Sequence, residues 1–315
     1  MNRPETKRTR HRIEVSAPAE RVYALIAAVE DWAWVFGPTI HVDREDLGAG
    51  RERIHIWATA NGDPKGWTSL RELDPTERTV RFRQEVSRPP VASMRGQWRV
   101  EPGGDGCLVV LEHEFQAVDG DAAAEAWITR AIRTNSGAEL AALKERAETP
   151  VREAGLLLEF SDEVHVEGDP ADVYDFLHEA GEWEARLPHV ARVALEEDTV
   201  NIQRLEMDTR AADGGVHTTE SVRVCFPRHR IVYKQLRTPE LLAVHTGCWE
   251  VAQAGSGALV TSFHTVVLAP DAVPRVLGPG ADIEKARSAV RDALGRNSRA
   301  TMERAGAYAQ KRACR

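Results

Sequence analysis

Apolar and polar residues alternate with a period of two in seven short stretches of the first half, near 8–15, 40–47, 51–60, 67–73, 79–84, 92–101 and 107–115. Such alternation predicts strands with one buried face. Asn61-Gly62 and Gly103-Gly104-Asp105-Gly106 supply turn chemistry between neighbours, so the middle strands are expected to form an antiparallel meander. Over 121–148 the period changes to that of a helix, with Ala124, Ile128, Ala131, Asn135, Ala138 and Ala142 on one stripe. The expected order is one strand, a helical stretch, a run of strands and one long helix. This is an α+β arrangement, a curved antiparallel sheet that grips a long C-terminal helix and encloses a pocket.

The same order is expected twice. Arg21-Val22-Tyr23-Ala24-Leu25 recurs 151 positions later as Asp172-Val173-Tyr174-Asp175-Phe176. Trp32 matches Trp183, Gly96-Gln97-Trp98 matches Gly247-Cys248-Trp249, and His113 matches His264 at that offset; Ser69 and Arg71 match Ser221 and Arg223 at 152. With eight tryptophans in the chain, two coincidences at one offset point to tandem duplication. Glu148-Thr149-Pro150 ends the first long helix and Gly155 precedes a strand-like run, which gives domains at 1–150 and 156–315. Asn135-Ser136 pairs with Asn297-Ser298 at an offset of 162, so the second copy carries 11 extra residues. They lie between Val267 and Asp282, where Pro270, Pro274, Gly278, Pro279 and Gly280 are expected to prevent regular structure. The segment reads equally as a lid or as a passive insertion.

Alternation places Trp67, Ser69 and Arg71 on one strand face, Met94, Gly96 and Trp98 on another, and Val109, Leu111, His113 and Phe115 on a third. Their apolar members mark these rows as inward, leaving Ser69, Arg71, His113 and the helix residue Asn135 as polar groups on a mainly buried surface. The second copy repeats the rows with Thr219, Ser221 and Arg223; His245, Gly247 and Trp249; Ser262 and His264; and Asn297. His245 for Met94 and Ser262 for Leu111 make the second pocket richer in proton-transfer groups, or simply wetter. Taken singly, an inward Arg reads as the partner of a buried carboxylate and an inward His as a satisfied core residue; the matched set in both copies favours a ligand-facing role. Trp32 and Trp183 either line the pockets or plug the cores.

Composition narrows the chemistry. A net charge of −8 argues against general nucleic-acid binding, although Lys7, Arg8, Arg10 and Arg12 read either as a phosphate-seeking arm or as the exposed face of a first strand. No stretch is long and apolar enough to span a membrane and the N-terminus lacks a secretory h-region, so a cytoplasmic protein is expected. Cys107, Cys225, Cys248 and Cys314 fall in no metal-ligating or disulfide spacing, and free thiols are expected. Phosphate-binding loops, dinucleotide fingerprints, zinc motifs and nucleophile elbows are absent from the sequence. The residues point to cofactor-free and metal-free acid-base and oxyanion chemistry in an apolar pocket.

Each copy resembles the aromatase/cyclases of type II (aromatic) polyketide synthases, whose fold is the START-like helix grip. The resemblance is carried by Glu30-Asp31-Trp32 with Phe36, the Trp67-to-Arg71 strand, Met94-x-x-x-Trp98, His113-Glu114-Phe115 and Asn135-Ser136. It implies catalytic roles for Arg71, His113, Arg223 and His264, and substrate contacts for Trp32, Trp67, Ser69, Met94, Trp98, Asn135, Trp183, Ser221, His245, Trp249 and Asn297. Two fused copies resemble the didomain members, which implies dehydration and aromatisation of the first ring, closed between the seventh and twelfth carbons, of a ketoreduced poly-β-ketone. The chain would arrive on an acyl carrier protein, with other synthase subunits as partners and without nucleic acid, membrane or cofactor. Thr39, with Val190 in the second copy, stands where single-domain relatives often carry a pocket tyrosine, which makes dehydration the firmer expectation than ring closure itself. The alternatives are a non-catalytic lipid or small-molecule carrier, a chaperone that only folds the polyketone, and a scaffold whose first copy docks the synthase.

Overall fold

A computed structural model describes residues 5–60, 62–210 and 214–314. The chain divides into two units, Met1–Pro150 and Val151–Arg315. In the first, β1 (Lys7–Val15) leads into α1 (Ala19–Ala27) and the one-turn α2 (Trp32–Val35). There follow β2 (Thr39–Gly48), β3 (Arg51–Ala60), β4 (Asp63–Asp74), β5 (Thr79–Gln84), β6 (Val91–Gly103) and β7 (Gly106–Ala117), then the long α3 (Ala122–Glu148). Strands β2 to β7 pair in sequence as an antiparallel meander, and β1 closes the order beside β7. The Asn61 half of the expected Asn61-Gly62 turn lies outside the described residues; Gly62 itself takes a positive φ of 92°.

The second unit repeats this plan. Its strands are β8 (Leu157–Glu167), β9 (Val190–Thr199), β10 (Ile202–Arg210), β11 (Val216–Phe226), β12 (Arg230–Arg237), β13 (Leu242–Ala254) and β14 (Gly257–Leu268). They pair in the order β8-β14-β13-β12-β11-β10-β9. Its helices are α4 (Pro170–His178), α5 (Trp183–Arg186), α6 (Val273–Leu277) and the long α7 (Ile283–Ala313). Both long helices start where an aspartate can accept from an otherwise unpaired backbone N–H: Asp121 from Ala123 and Asp282 from Lys285.

Two sequence expectations need correction. The buried line of α3 is Ile128, Ile132, Ser136, Leu140, Leu143 and Ala147; Ala138 is exposed and Asn135 lies on the flank. Burying isoleucine and leucine removes more apolar surface from water than burying alanine, so the larger residues set the helix rotation. The inserted segment is not irregular throughout, because Val273–Leu277 is helical. Pro274 occupies its first turn, where a missing N–H costs nothing, and Ala272 and Val273 are buried.

The long helices are anchored differently. In the second unit buried Asp162 on β8 accepts two hydrogen bonds from Arg291, at 3.0 and 2.9 Å, and one from Arg299 at 2.6 Å. Gly295 lies between these arginines on α7, and a Cβ there would sit 2.2 Å from Arg291 Nη1. The matching positions of the first unit hold His11, Thr129, Gly137 and Arg133, which form no such clamp.

Candidate active site

The matched polar residues form two groups in each unit, one around the arginine at the end of the first helix and one around the histidine beneath the long helix. Arg71 on β4 lies opposite Glu52 on β3, and its Nη1 is 2.7 Å from Glu52 Oε1 with both side chains buried. Its guanidinium also donates to Ile26 O at 2.8 Å and Ala27 O at 3.4 Å, at the open C-terminal end of α1, and lies 4.9 Å from the Trp32 ring centroid. Burial lowers the Arg71 pKa to about 10, and the neighbouring Glu52 resists that shift. Arg223 repeats the arrangement at the end of α4, donating to Leu177 O, to His178 O at 3.5 Å and to Gln203 Oε1 at 2.7 Å, 5.1 Å from the Trp183 centroid. Gln203 thus stands where the first unit has Glu52. Both arginines have acceptors inside the protein.

The tryptophans Trp32 and Trp183 are likewise engaged internally, their indole N–H groups donating to Ile26 O at 3.2 Å and Phe176 O at 3.1 Å. Trp32 meets Phe36 edge-on, and Phe36 stacks on Trp98. Trp183 and Trp249 belong to the main core of the second unit. Ser69 and Ser221 are buried on the arginine strands. Trp67 is half-buried, and Met94 packs on the cluster of Phe115, Ala117, Ile128 and Ile132.

Around the histidines the two units diverge. In the second, Tyr233 on β12 covers Gly247 on β13, where any Cβ would lie 2.3 Å from the Tyr233 hydroxyl oxygen. That hydroxyl is 3.2 Å from His264 Nδ1 and 3.5 Å from His245 Nε2, and the two histidine nitrogens are 3.0 Å apart. His264 Nε2 is 3.0 Å from Ser262 Oγ and 2.8 Å from Ser298 Oγ on α7. Burial lowers the pKa of His264 to about 4 and that of His245 well below the ordinary value. Both imidazoles are therefore neutral at pH 7. Both ring nitrogens of His264 are occupied by neighbours.

The first unit has Phe82, Met94, Leu111 and Ser136 at the matching positions, and none of these joins His113 in a hydrogen bond among the described residues. The Phe82 ring meets His113 edge-on at 5.4 Å, and His113 Nδ1 is buried without a hydrogen-bond partner. Burial lowers His113 to about 4. Asn135 on the flank of α3 donates to Thr59 O on β3 at 3.3 Å, so this flank looks across the sheet toward β3. One turn further along that flank, Glu139 has neither ion pair nor hydrogen bond among the described residues, and burial alone raises its pKa to about 7. The second unit has Thr301 there, whose hydroxyl donates to Asn297 O at 2.9 Å. Asn297 is half-buried at the edge of its stripe.

Sequence reading missed Glu139, Tyr233 and Ser298. Tyr233 was within reach, since it alternates with inward Ile231. A groove of about 470 Å³ on the opposite, outer face of the first sheet is lined by Arg81, Arg83, Arg95, Glu112 and Glu114. Its charged walls are paired in part, as in Arg95 with Glu114.

Two helix-grip domains in tandem, each with an inward histidine beneath its long helix, define a di-domain class of helix-grip proteins. A family model described as polyketide cyclase/dehydrase and lipid transport matches residues 6–148. The actinorhodin polyketide synthase bifunctional cyclase/dehydratase of Streptomyces coelicolor is 44% identical, over 98% of this chain and 99% of its own. The granaticin polyketide synthase bifunctional cyclase/dehydratase of Streptomyces violaceoruber is also 44% identical, over 98% and 96%. Among solved structures, the di-domain aromatase/cyclase BexL of the BE-7585A biosynthetic pathway is 51% identical with a TM-score of 0.86, covering 96% of this chain and 98% of its own. StfQ, from the steffimycin pathway, is 31% identical with a TM-score of 0.82, over 98% and 100%. The chain belongs to the family of di-domain polyketide cyclase/dehydratases.

Proposed function

We propose that the chain dehydrates and aromatises the first ring, closed between the seventh and twelfth carbons, of a ketoreduced poly-β-ketone carried on an acyl carrier protein, and that the chemistry takes place in the first unit. The carrying observation is that this unit keeps two half-buried groups open where the second does not: the Glu139 carboxyl, which burial shifts upward and where the second unit has Thr301, and the unpartnered Nδ1 of His113, where the second unit has the fully bonded His264. Groups whose environments push their pKa values in opposite senses are suited to divide acid and base work.

In this reading His113 accepts a proton from the acidic methylene between carbonyl and carbinol. The electron pair of that C–H bond forms the new double bond as the C–O bond breaks. Glu139 protonates the departing hydroxyl, which leaves as water, and the histidine's proton returns to the carboxylate through solvent. A remaining ring ketone then enolises to the phenol. The sequence is redox-neutral and consists of proton transfers and loss of water, which makes the enzyme a carbon–oxygen lyase working without a cofactor. Trp67, Met94 and Asn135 contribute walls and one orienting amide, holding a flexible chain in a reactive fold. Arg71 and Arg223 act as positioning residues that fix the ends of α1 and α4, in place of the catalytic roles that the resemblance implies.

A second reading, a pocket that folds or shelters the chain without reacting, is favoured for the second unit by its own geometry. Both ring nitrogens of His264 are committed, so no free lone pair awaits a substrate proton. Incubating the protein with a ketoreduced chain on its carrier and following loss of water by mass spectrometry tests the activity. An aromatic first ring supports it, and tight binding with the ligand recovered unchanged would establish the carrier or chaperone instead.

A further inference from the structure

On the first sheet, β1 runs beside β7 with Thr9 opposite His113 and His11 opposite Leu111, so Thr9, His11 and His113 share one inward face beneath α3. Thr9 Oγ1, His11 Nδ1 and His113 Nδ1 are each buried, and none has a hydrogen-bond partner among the described residues. Buried polar atoms are normally paired, and three orphans at adjoining register positions form a group. The duplicate shows how the same positions are closed when nothing is to be bound. There Phe160 replaces Thr9 and stacks on His264 at 4.8 Å, while Asp162 replaces His11 and receives Arg291 and Arg299. His264 itself is fully bonded. The first unit has kept polar groups where the second has a ring and an ion-pair clamp.

We propose that Thr9, His11 and His113 form a subsite of the first unit that binds adjacent hydroxyl and carbonyl oxygens of a neutral hydroxyketone or phenol. The chemistry of the three groups selects that class. Burial keeps both imidazoles uncharged at neutral pH, so each offers one donor and one acceptor, and the threonine hydroxyl offers both. None of the three supplies the fixed positive charge that a carboxylate or phosphate would need. Arg133 on α3, the charged group that acts on His11, is itself exposed. The inference rests on the reading that the first unit holds the reacting chain, and adds to it a place for the oxygens beside the base, His113.

The test uses the full chain and ortho-acetylnaphthol, a neutral aromatic with neighbouring hydroxyl and ketone, measured by fluorescence titration beside acetylnaphthalene, which lacks the hydroxyl. Thr9→Val and His11→Phe each weaken binding of the naphthol about tenfold, the equivalent of one lost hydrogen bond, and leave acetylnaphthalene nearly unchanged. Because each removes a buried orphan, the thermal midpoint holds or rises by about 2–4 °C. Naphthol binding within twofold of wild type in both variants, or an equal loss for both probes, overturns the subsite. A weakened naphthol alongside full turnover in Glu139→Gln keeps the subsite and removes the assignment of the chemistry to this unit. Unchanged binding with turnover abolished in Glu139→Gln does the reverse.

Discussion

Truncating Glu52 separates a structural arginine from a catalytic one. At the effective dielectric of about 20 that suits protein sites, opposite charges 4 Å apart attract by about 4 kcal/mol, and breaking a buried pair from one side costs about 3–5 kcal/mol. Glu52 and Arg71 are both buried and 2.7 Å apart, so Glu52→Ala is expected to destabilise the first unit by about 4 kcal/mol. Glu52→Gln is milder, about 1–2 kcal/mol, because an amide oxygen still accepts, as Gln203 does from Arg223 in the second unit. Arg71→Ala removes the ion pair and the donors to Ile26 O and Ala27 O, and its cost should match that of Glu52→Ala. Calorimetry of the full chain measures the loss, and turnover is then normalised to folded protein. A positioning arginine predicts that stability falls in step for both alanine variants while normalised turnover stays within about tenfold. An Arg71→Ala protein with wild-type unfolding and no turnover would refute this and restore direct contact with the substrate.

Further outcomes follow from the same geometry. Asp162→Ala leaves Arg291 and Arg299 without their shared carboxylate; both can turn to solvent, so the loss in the second unit sits near the low end of the buried-pair range, about 3 kcal/mol, readable by denaturant titration. Gly96→Ala drives a methyl group to 2.1 Å from Glu112 O and 2.5 Å from the Phe82 ring, so about 1–3 kcal/mol of stability is lost on thermal melting. The pH dependence should be steeper in the second unit than in the first. His264 falls from 6.5 to about 4 on folding, so between those values the unfolded chain takes a proton that the folded chain refuses, and the second unit loses stability as pH drops, by up to about 3 kcal/mol. In the first unit His113, lowered to about 4, acts in the same sense, while Glu139, raised from 4.5 to about 7, adds stability below 4.5 that is lost as pH climbs through 7, so the two largely offset each other between pH 4.5 and 6.5. Calorimetry across that range, repeated on Glu139→Gln, should leave the second unit's trend in place and unmask in the first a loss of stability as pH drops through 6.5.

The strands and the duplication were legible because alternation and the rare tryptophans leave a direct trace in the residue order. The rotation of α3 was misread because its alanines are small enough for either face, whereas Ile132, Leu140 and Leu143 gain more from burial. Pro274 read as a breaker because a proline in a first helical turn looks in sequence like one inside a loop. The inward placement of Arg71 was readable, but two of its acceptors, Ile26 O and Ala27 O, are backbone atoms that no side-chain pattern reveals. Glu139 was hidden among the glutamates of a long helix, a residue type that ordinarily faces water there. Its one signal is Thr301 at the duplicate position, an uncharged residue in place of an acid.

The assignment of the chemistry to the first unit is tested most directly by single-turnover dehydration of the carrier-bound, ketoreduced chain in Glu139→Gln and His264→Phe proteins whose folding has been verified. Glu139→Gln is expected to slow water loss by about 10²–10⁴ with substrate binding retained, the range for removing a general acid, while His264→Phe stays within about tenfold of wild type. Full dehydration in Glu139→Gln together with its collapse in His264→Phe would place the chemistry in the second unit and contradict the assignment.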